Sequence, residues 1–464
     1  MKQMIKRTLI VAAMILAPVL LLVLAFVIRY VPFPPDPDFP TPASLAEARL
    51  QDLEYLKLFP DYDWTFTEAQ RAAMMAEIDV IAARAGELSD AEFELAVAHA
   101  VALADNGHTN VSPIGRRGRV NVLPLRLAWF SDGLYVVQAT RDQQDLLGAR
   151  IKQIDGQTPE QLAAVFMPYF GGESGRSRYM SALNMESPAL LHAAGVAPDS
   201  ESVLVTATAI DGQTISRRLW ALPPQTERSL RRWGGALKEY ELAPEAKNWV
   251  HLMAGEKPPL YLSSPDKPFE MTWLDADGLY LKLDMTMDVD GFVLVDFQKQ
   301  VLAEMDRRSP RFVVVDLRHN GGGTVDRWFS KSLAERLPES AQLFIVTSPE
   351  TFSGGITEAA YFKHFGGERA IVVGEPVGDR LVFWANAGEA FVLPNSRIPL
   401  NIWVAKEDWE NGCDDWWLCF WPTMLTDVGV GTLEPDLPVS PSFADYRANR
   451  DPVLETIIAA VGPD

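Results

Sequence analysis

A serine followed by two glycines is the first feature of the sequence that could do chemistry. Ser353 lies in TSPETFSGGITEAAYF, residues 347–362, just before a segment with a helical pattern. Glycines destabilise helices, so their presence here indicates that the backbone comes close to another group. The Ser353 hydroxyl is a candidate nucleophile, and the N–H of Gly354 could stabilise an oxyanion with help from the helix dipole. The alternative is a turn in which Ser353 caps the helix.

A glycine-rich loop after an apolar strand is the second candidate. In VDLRHNGGGTVD, residues 315–326, Arg318 and Asn320 precede three glycines at 321–323. Consecutive glycines allow backbone N–H groups to approach a ligand closely and to stabilise an oxyanion. A tight turn or a phosphate-binding loop are the alternatives. The second lacks support, because neither GxGxxG nor GxxxxGK[ST] is present.

A histidine in a turn is the third candidate. His108 lies in ADNGHTNV, after a helical pattern, and the chain has only six histidines. An imidazole can accept a serine proton near neutral pH. An ordinary loop histidine is the alternative.

Strands and helices alternate from about residue 271, and they must position these residues. The strand patterns are GLYLKLDM, RFVVVDL, AQLFIVTS and RAIVVGEP, and the helix after Ser353 connects the last two. Unbroken β-branched runs are typical of buried parallel strands. In a β-α-β arrangement the carboxyl ends of such strands carry the functional loops.

Two other regions precede this one. Residues 45–117 carry helical patterns, such as the one that begins after Ser89. Residues 118–222 read as strands and hairpins with Asp-Gly turns and one or two helices, for which a PDZ-like module is the specific hypothesis. The segment 223–270 is irregular and connects this module to a core at 271–464.

These motifs together resemble one family. DLRHNGGG is similar to the DxRxNxGG motif of the C-terminal processing peptidase and tricorn protease superfamily of serine peptidases, the tail-specific protease family. TFSGG followed by VVGEPVG resembles the nucleophile segment and the strand after it, and DNGHT resembles the upstream DGHT. The end of the chain, with LEPD and then DPVLE, is also similar. The resemblance covers roughly residues 90–460.

The resemblance implies a multidomain α/β fold with a crotonase-like β-α-β core, a PDZ-like module and an N-terminal helical region. It implies that Ser353 attacks a peptide carbonyl and that the N–H groups of Gly322 and Gly354 hold the oxyanion. Arg318 and Asn320 would keep the loop in shape.

The residue that would act as the base differs from the one that half of the superfamily uses. Processing peptidases use a lysine after a turn that here reads GEPVGDR, where Asp379 and Arg380 stand instead. Arginine stays protonated and is a poor base. The tricorn branch uses a histidine from the position of His108, so we expect a Ser353–His108 pair.

An acid would orient the ring of His108. The resemblance leaves two candidates open, Glu375 at the end of a strand and Asp427 in TDVGVGTLEPD, with Asp105 as an outside choice.

The N-terminus predicts a membrane anchor. Residues 9–28 carry no charge, and about 20 helical residues span a bilayer core of about 30 Å. We expect an uncleaved signal anchor at 1–28, rather than a removed signal, and a proline-rich linker at 29–44. Because Lys2, Lys6 and Arg7 precede the apolar run, the positive-inside rule puts the N-terminus in the cytoplasm. The body would then be extracytoplasmic, and periplasmic in a cell with two membranes.

Composition limits the partners. The 464 residues carry a net charge of −20, which argues against a nucleic-acid partner. Two cysteines, Cys413 and Cys419, can form a disulfide in an exported domain, and without nearby histidines they do not make a zinc site. No cofactor or metal is expected. The surrounding segment 403–421 carries five tryptophans and could be a flap over the cleft, a hairpin packed on the body, or a contact with a membrane surface.

The sequence therefore predicts a membrane-anchored, exported serine peptidase that acts on peptides or proteins. A catalytically inactive peptide- or lipid-binding protein on the same fold is the alternative, since the lysine is missing. An acyl-thioester enzyme of the crotonase type is a third hypothesis, disfavoured because its substrates are cytoplasmic.

Overall fold

The chain is a mixed α/β protein. The computed structural model describes residues 2–224, 235–238, 248–289, 291–325, 327–386 and 390–462. Within these residues the chain forms two six-stranded sheets, two additional pairs of short strands, and many helices. The predicted multidomain α/β class is confirmed. In the connecting segment at 223–270, residues 225–234 and 239–247 lie outside the described residues.

The helices start where capping signals predict. Thr67 and Ser89 each form a capping box at the start of a helix, as does Thr158 further along the chain. The helices of the described residues are α1 (Lys2–Tyr30), α2 (Leu45–Leu56), α3 (Phe59–Tyr62), α4 (Glu68–Ala83), α5 (Asp90–Ala102), α6 (Pro113–Arg116), α7 (Pro159–Phe166), α8 (Ser174–Met185), α9 (Pro188–Ala193), α10 (Leu294–Arg307), α11 (Arg327–Arg336), α12 (Gly354–Gly366), α13 (Trp421–Met424), α14 (Phe443–Arg447) and α15 (Pro452–Val461).

The strands fall into two sets along the chain. Those of the described residues are β1 (Leu125–Phe130), β2 (Gly133–Thr140), β3 (Arg150–Ile154), β4 (Ser202–Thr208), β5 (Thr214–Trp220), β6 (Trp249–His251), β7 (Phe269–Trp273), β8 (Gly278–Leu283), β9 (Phe312–Asp316), β10 (Gln342–Thr347), β11 (Ala370–Gly374), β12 (Val382–Ala385), β13 (Ala390–Val392), β14 (Pro399–Asn401), β15 (Ala405–Asp408) and β16 (Leu437–Pro438).

The first sheet is antiparallel. Its order is β1-β2-β3-β4-β5, and β6 pairs with β2. The two Asp-Gly hairpins that the sequence predicts are present: β1 pairs with β2, and β4 pairs with β5 over its full length. Helices α7, α8 and α9 complete this region and share its core. Its PDZ-like identity stays a prediction.

The second sheet contains the predicted β-α-β units. Its order is β16-β11-β10-β9-β8-β7, and all neighbours are parallel except β7, which is antiparallel to β8. Alternate side chains are buried on opposite faces: Val313 and Val315 pack with α10, α11 and α12, whereas Phe312 and Val314 pack with α15. Because both faces are covered, the strands are apolar throughout.

The N-terminal helices are not packed by themselves. Their core also contains buried side chains from 391–405, a segment close to the C-terminus in sequence. The ring of Tyr55 in α2 stacks on Phe391 in β13, with centroids 4.3 Å apart. The chain therefore folds back, and this return brings α5 and the turn after it near the second sheet.

The structure bears on the predicted disulfide and on the predicted N-terminal membrane anchor. Cys413 and Cys419 form the predicted disulfide. In the part of the chain that the structure describes, no helix is both long and apolar enough to cross a membrane. The membrane anchor stays a prediction.

Candidate active site

Three loops meet at the carboxyl end of the second sheet. Hydrogen bonds join the loops after β9 and β10: the Thr351 hydroxyl donates to the Leu317 carbonyl at 2.8 Å, and the Phe352 N–H donates to the Asn320 carbonyl at 2.9 Å. The loop after β11 is attached through the Gly378 N–H, which donates to the Thr351 carbonyl at 2.8 Å. The parallel arrangement thus places the glycine loop next to Ser353, as predicted from the strand pattern.

Ser353 has an unusual backbone conformation. Its φ is 54° and its ψ is −123°, and a positive φ is uncommon for a residue with a side chain. It immediately precedes α12, but its side chain makes no capping hydrogen bond. Ser353 therefore occupies the N-cap position that the alternative predicts, but its hydroxyl does not cap the helix. Strain at a half-buried serine is typical of a functional position.

Glycine is required where the two loops touch. A Cβ added at Gly322 would lie 2.7 Å from the Cβ of Ser353 and 3.0 Å from the Gly354 nitrogen. One added at Gly354 would lie 2.7 Å from the Gly323 carbonyl oxygen. These distances are shorter than van der Waals contact, so only glycines allow the approach that the sequence predicts.

Gly323 and Gly354 each offer a free backbone donor to the Ser353 cavity. The Gly322 N–H, predicted to hold an oxyanion, donates to Oδ1 of Asn320 at 2.9 Å. Within the described residues, the N–H groups of Gly323 and Gly354 make no hydrogen bond, and both residues line the same cavity as Ser353. The geometry available for an oxyanion is therefore one residue further along the loop.

Arg318 and Asn320 make contacts inside the protein. The Arg318 guanidinium donates to Asp316 at 2.9 Å and to both carboxylate oxygens of Asp451, at 3.0 and 2.9 Å. Asn320 donates to the Leu283 carbonyl at 2.9 Å and accepts from Gly322. These contacts fit the supporting role predicted for both residues.

His108 lies beside the Ser353 loop. Its buried ring stacks between Phe352, at 4.2 Å between centroids, and Phe383, at 4.9 Å. The Trp403 indole donates to the His108 carbonyl at 2.6 Å and holds the turn. Phe352 directly precedes Ser353, so the fold brings together two segments far apart in sequence. Neither ring nitrogen of His108 has a hydrogen-bond partner in the described residues.

The carboxylate next to His108 is that of Asp379. Its Oδ2 lies 3.5 Å from Nδ1 of the ring, and both side chains are buried. Burial lowers the pKa of His108 below its ordinary value of 6.5, and the Asp379 carboxylate opposes this decrease. A Cβ at Gly107 would lie 2.3 Å from Asp379, so the glycine before His108 makes room for the acid.

The three acids that the sequence analysis proposed for orienting His108 make their contacts elsewhere. Glu375 accepts a hydrogen bond from the Ser440 hydroxyl at 2.9 Å, and burial raises its pKa. Asp427 lies beside Gly412, and Asp105 forms an ion pair with Arg380 at 2.7 Å. None of the three has a hydrogen bond or ion pair to His108 in the structure.

Sequence reasoning missed Glu407. It lies on β15 and lines a cavity of about 720 Å³ together with Ser353 and Gly354. Burial raises the pKa of Glu407 to about 7, although its carboxylate accepts from Nδ2 of Asn386 at 2.6 Å. No local signal marked it, because Ala405 is followed by three charged residues, and only the strand in the structure places the Glu407 side chain on the buried face.

Solved structures show which fold this is. The chain has the fold of mature CPAF: the match has a TM-score of 0.55 at 12% identity and covers 87% of this chain and 95% of that one. Mature CPAF complexed with lactacystin matches with a TM-score of 0.54 at 11% identity, over 90% of this chain and 98% of that one. The structural likeness that the motifs predict is therefore confirmed for the fold.

The structure comparison also returns a processing protease, with a low TM-score. The photosystem II D1 C-terminal processing protease matches over 86% of this chain and 94% of that one at 13% identity, with a TM-score of 0.29. This TM-score is too low to show a shared fold, which is established with mature CPAF. No family model matches the chain, and no curated protein matches its sequence.

Proposed function

We propose that this protein is a serine peptidase that hydrolyses peptide bonds with Ser353 as the nucleophile. The observation that carries the proposal is the strained backbone of Ser353, whose hydroxyl leaves the helix uncapped beside two unpaired backbone N–H groups. The resemblance of the DLRHNGGG and TFSGG motifs to a family of serine peptidases supports the same activity.

His108 is the proposed base. Because burial lowers its pKa, the imidazole is neutral near pH 7 and can accept a proton. If Nδ1–H faces Asp379, the lone pair of Nε2 is available for the Ser353 hydroxyl. The Phe352 and Phe383 rings restrict the imidazole to one plane. No hydrogen bond joins Ser353 and His108 in this structure, and catalytic hydrogen bonds often tighten only when substrate binds.

The reaction would follow acyl transfer. The Ser353 oxygen attacks the peptide carbonyl while His108 takes its proton. The N–H groups of Gly354 and Gly323 then hold the oxyanion at the start of α12, where the helix dipole favours negative charge. His108 returns the proton to the leaving amine, and water releases the acyl group by the same steps.

Asp379 and Glu407 have proposed roles around this pair. Asp379 orients the imidazole and favours its charged form during the transfer. Glu407, with a pKa of about 7, can hold or release a proton in the cavity that Ser353 lines.

We also propose that the chain is anchored in a membrane and that its body is exported. The support is the uncharged run at 9–28, which lies within α1, and the disulfide, which is typical of exported proteins. The side chains of α1 that the structure describes support the same role, since most large apolar ones between Met14 and Ile28 are exposed.

A binding protein without catalysis is the second candidate. The absence of a hydrogen bond between Ser353 and His108, together with the apolar lining of the cavity, favours it.

A fluorophosphonate probe tests the proposal. Wild-type protein should be labelled covalently, and Ser353→Ala should not. Ser332→Ala on α11 is the matched control and should be labelled like wild type. Equal labelling of wild type and Ser353→Ala would rule out Ser353 as the nucleophile, and no labelling of any variant would favour the binding protein.

A further inference from the structure

Four large apolar side chains are exposed together near the disulfide. Trp416 and Trp417 are 53% and 71% exposed, and Leu418 and Leu425 are 37% and 73% exposed. We call these four residues the tryptophan patch. Exposed apolar residues are common singly, but a group of them indicates a contact with another apolar partner.

The patch has a fixed conformation. The Cys413–Cys419 disulfide closes the loop that carries three of its members. Inside the loop, the Asp415 carboxylate accepts from the backbone N–H groups of Trp417 at 2.8 Å and Leu418 at 3.1 Å. The Trp416 ring stacks on Trp421 with centroids 4.7 Å apart. The loop backbone and the Trp416 ring are thus held in place by contacts within the protein.

The patch is attached to the end of α1. The Tyr30 hydroxyl donates to the Cys419 carbonyl at 2.7 Å and accepts from the Trp421 N–H at 3.0 Å. The Arg29 guanidinium donates to the carbonyls of Val404 and Trp417. Arg29 is the first charged residue after the uncharged run at 9–28, so the loop contacts α1 where its apolar part ends.

We propose that the tryptophan patch lies in the interfacial layer of a lipid bilayer and places the Ser353 cavity at the membrane surface. This rests on the anchor proposed above. Tryptophan is enriched at the level of the headgroups, because its ring is apolar and its N–H is polar. Ile28, the last apolar residue of the run, is 73% exposed and lies directly before the residues that hold the loop.

The position of the cavity gives the substrate class. Phe26, Tyr30 and Val31, at and just after the end of α1, line the same cavity as Ser353. Phe420, next to the disulfide, lines it as well. The cavity is therefore walled by the element that would leave the bilayer, and its apolar lining suits apolar side chains. The substrates are apolar peptide segments that lie at a membrane surface.

Charge predicts which lipid is preferred. The loop carries Asp414 and Asp415 beside the tryptophans. Two carboxylates oppose contact with anionic headgroups, so a zwitterionic surface suits the patch better.

Depth-dependent quenching tests the contact. The full chain is reconstituted into phosphatidylcholine vesicles whose acyl chains carry bromine near the headgroup, and tryptophan fluorescence is measured. The double variant Trp416→Phe, Trp417→Phe should lose most of the quenching seen in wild type. Trp220→Phe on β5 removes an exposed tryptophan from the first sheet and should retain it.

The consequence for substrates is tested with one peptide in two forms. The double variant Trp416→Ser, Trp417→Ser should cleave the free peptide at the wild-type rate. It should lose the preference of wild type for the same peptide acylated and bound to vesicles, several-fold, and more so on phosphatidylcholine than on phosphatidylserine vesicles. Trp220→Ser should keep the preference.

The outcomes separate the proposals. Equal quenching in all three proteins, or an unchanged preference for the bound peptide, overturns the membrane contact of the patch. If wild type does not sediment with vesicles, the anchor and the patch contact both fall. Cleavage of the free peptide, lost in Ser353→Ala, tests the peptidase proposal independently of both.

Discussion

Two buried acid–base clusters differ in how well they are paired. The Arg318 cluster is satisfied: its guanidinium contacts Asp316 and Asp451, its face lies over the Tyr261 ring at 4.2 Å, and Tyr280 donates to Asp316 at 2.6 Å. Burial opposes ionisation of Asp316, but the Arg318 charge lowers its pKa.

The His108–Asp379 cluster is left incomplete. Its two side chains are 3.5 Å apart, and the ring nitrogens and Oδ2 of Asp379 have no hydrogen-bond partner among the described residues. Buried polar groups are normally paired, so unpaired nitrogen and oxygen atoms in this cluster indicate positions that a substrate or another group can fill. The comparison suggests that the paired cluster supports the fold and the incomplete one performs chemistry.

Replacing His108 in the incomplete cluster should have the largest effect on activity. His108→Gln should reduce kcat by about 10³–10⁴-fold, because the serine loses its base. Thermal unfolding should shift by only a few degrees, because the variant loses the stacking of the ring on Phe352 and Phe383 but no hydrogen bond of the ring nitrogens.

The control for this variant is His192→Gln, whose Nδ1 contacts the Ala197 carbonyl far from Ser353 in sequence. It should keep full activity. Wild-type activity in His108→Gln would assign the base to another residue.

Breaking the paired cluster should act on stability. Arg318→Met leaves the carboxylates of Asp316 and Asp451 buried without their cation, which should lower the free energy of unfolding by about 3–5 kcal/mol. Arg217→Met removes an exposed ion pair with Asp145 and should cost less than about 1 kcal/mol. Denaturant unfolding of the two variants measures the difference, and similar losses in both would contradict a structural role for the Arg318 cluster.

Glu407 extends the comparison to a third buried group. Its pKa of about 7 lies above its ordinary value of 4.5, so the folded state favours the protonated form. Stability present below pH 4.5 is therefore lost as pH rises toward 7. Between pH 5 and pH 8, wild type should lose about 2 kcal/mol relative to Glu407→Gln, which cannot ionise.

The neighbouring Glu410 is the control for this measurement, because its side chain is exposed. Glu410→Gln should unfold with the same pH dependence as wild type. Parallel curves for wild type and Glu407→Gln would show that the Glu407 carboxyl ionises as it does in the unfolded chain.

Local sequence patterns predicted the half of the site that is built from one sheet. The strands, the glycine loop and the serine before α12 are consecutive, and their relation follows from the β-α-β order. The sequence could not show which backbone N–H of the glycine loop is free, because this depends on the Asn320 side chain, which accepts a hydrogen bond from the Gly322 N–H.

The other half depends on contacts between distant segments. Asp379 was read only as a residue in place of a lysine, and its approach to His108 requires the loop after β11 to meet the turn after α5. Glu407 enters the cavity because β15 pairs with β12, a contact without a local signal. For this half the sequence therefore supplied only His108, and the packing of distant segments supplied Asp379 and Glu407.

The smallest expected effect on activity is that of Asp379→Asn, which tests whether Asp379 or Glu375 orients the His108 ring. The carboxylate favours the imidazolium, so it opposes the decrease that burial causes in the pKa of His108. Without it that pKa falls further, and the acid limb of kcat/KM should move to lower pH, with a loss of activity on the order of tenfold. Asp105→Asn, which alters the ion pair of the adjacent Arg380, should leave the limb in place. If Glu375 oriented the ring instead, Glu375→Gln would move the limb and Asp379→Asn would not.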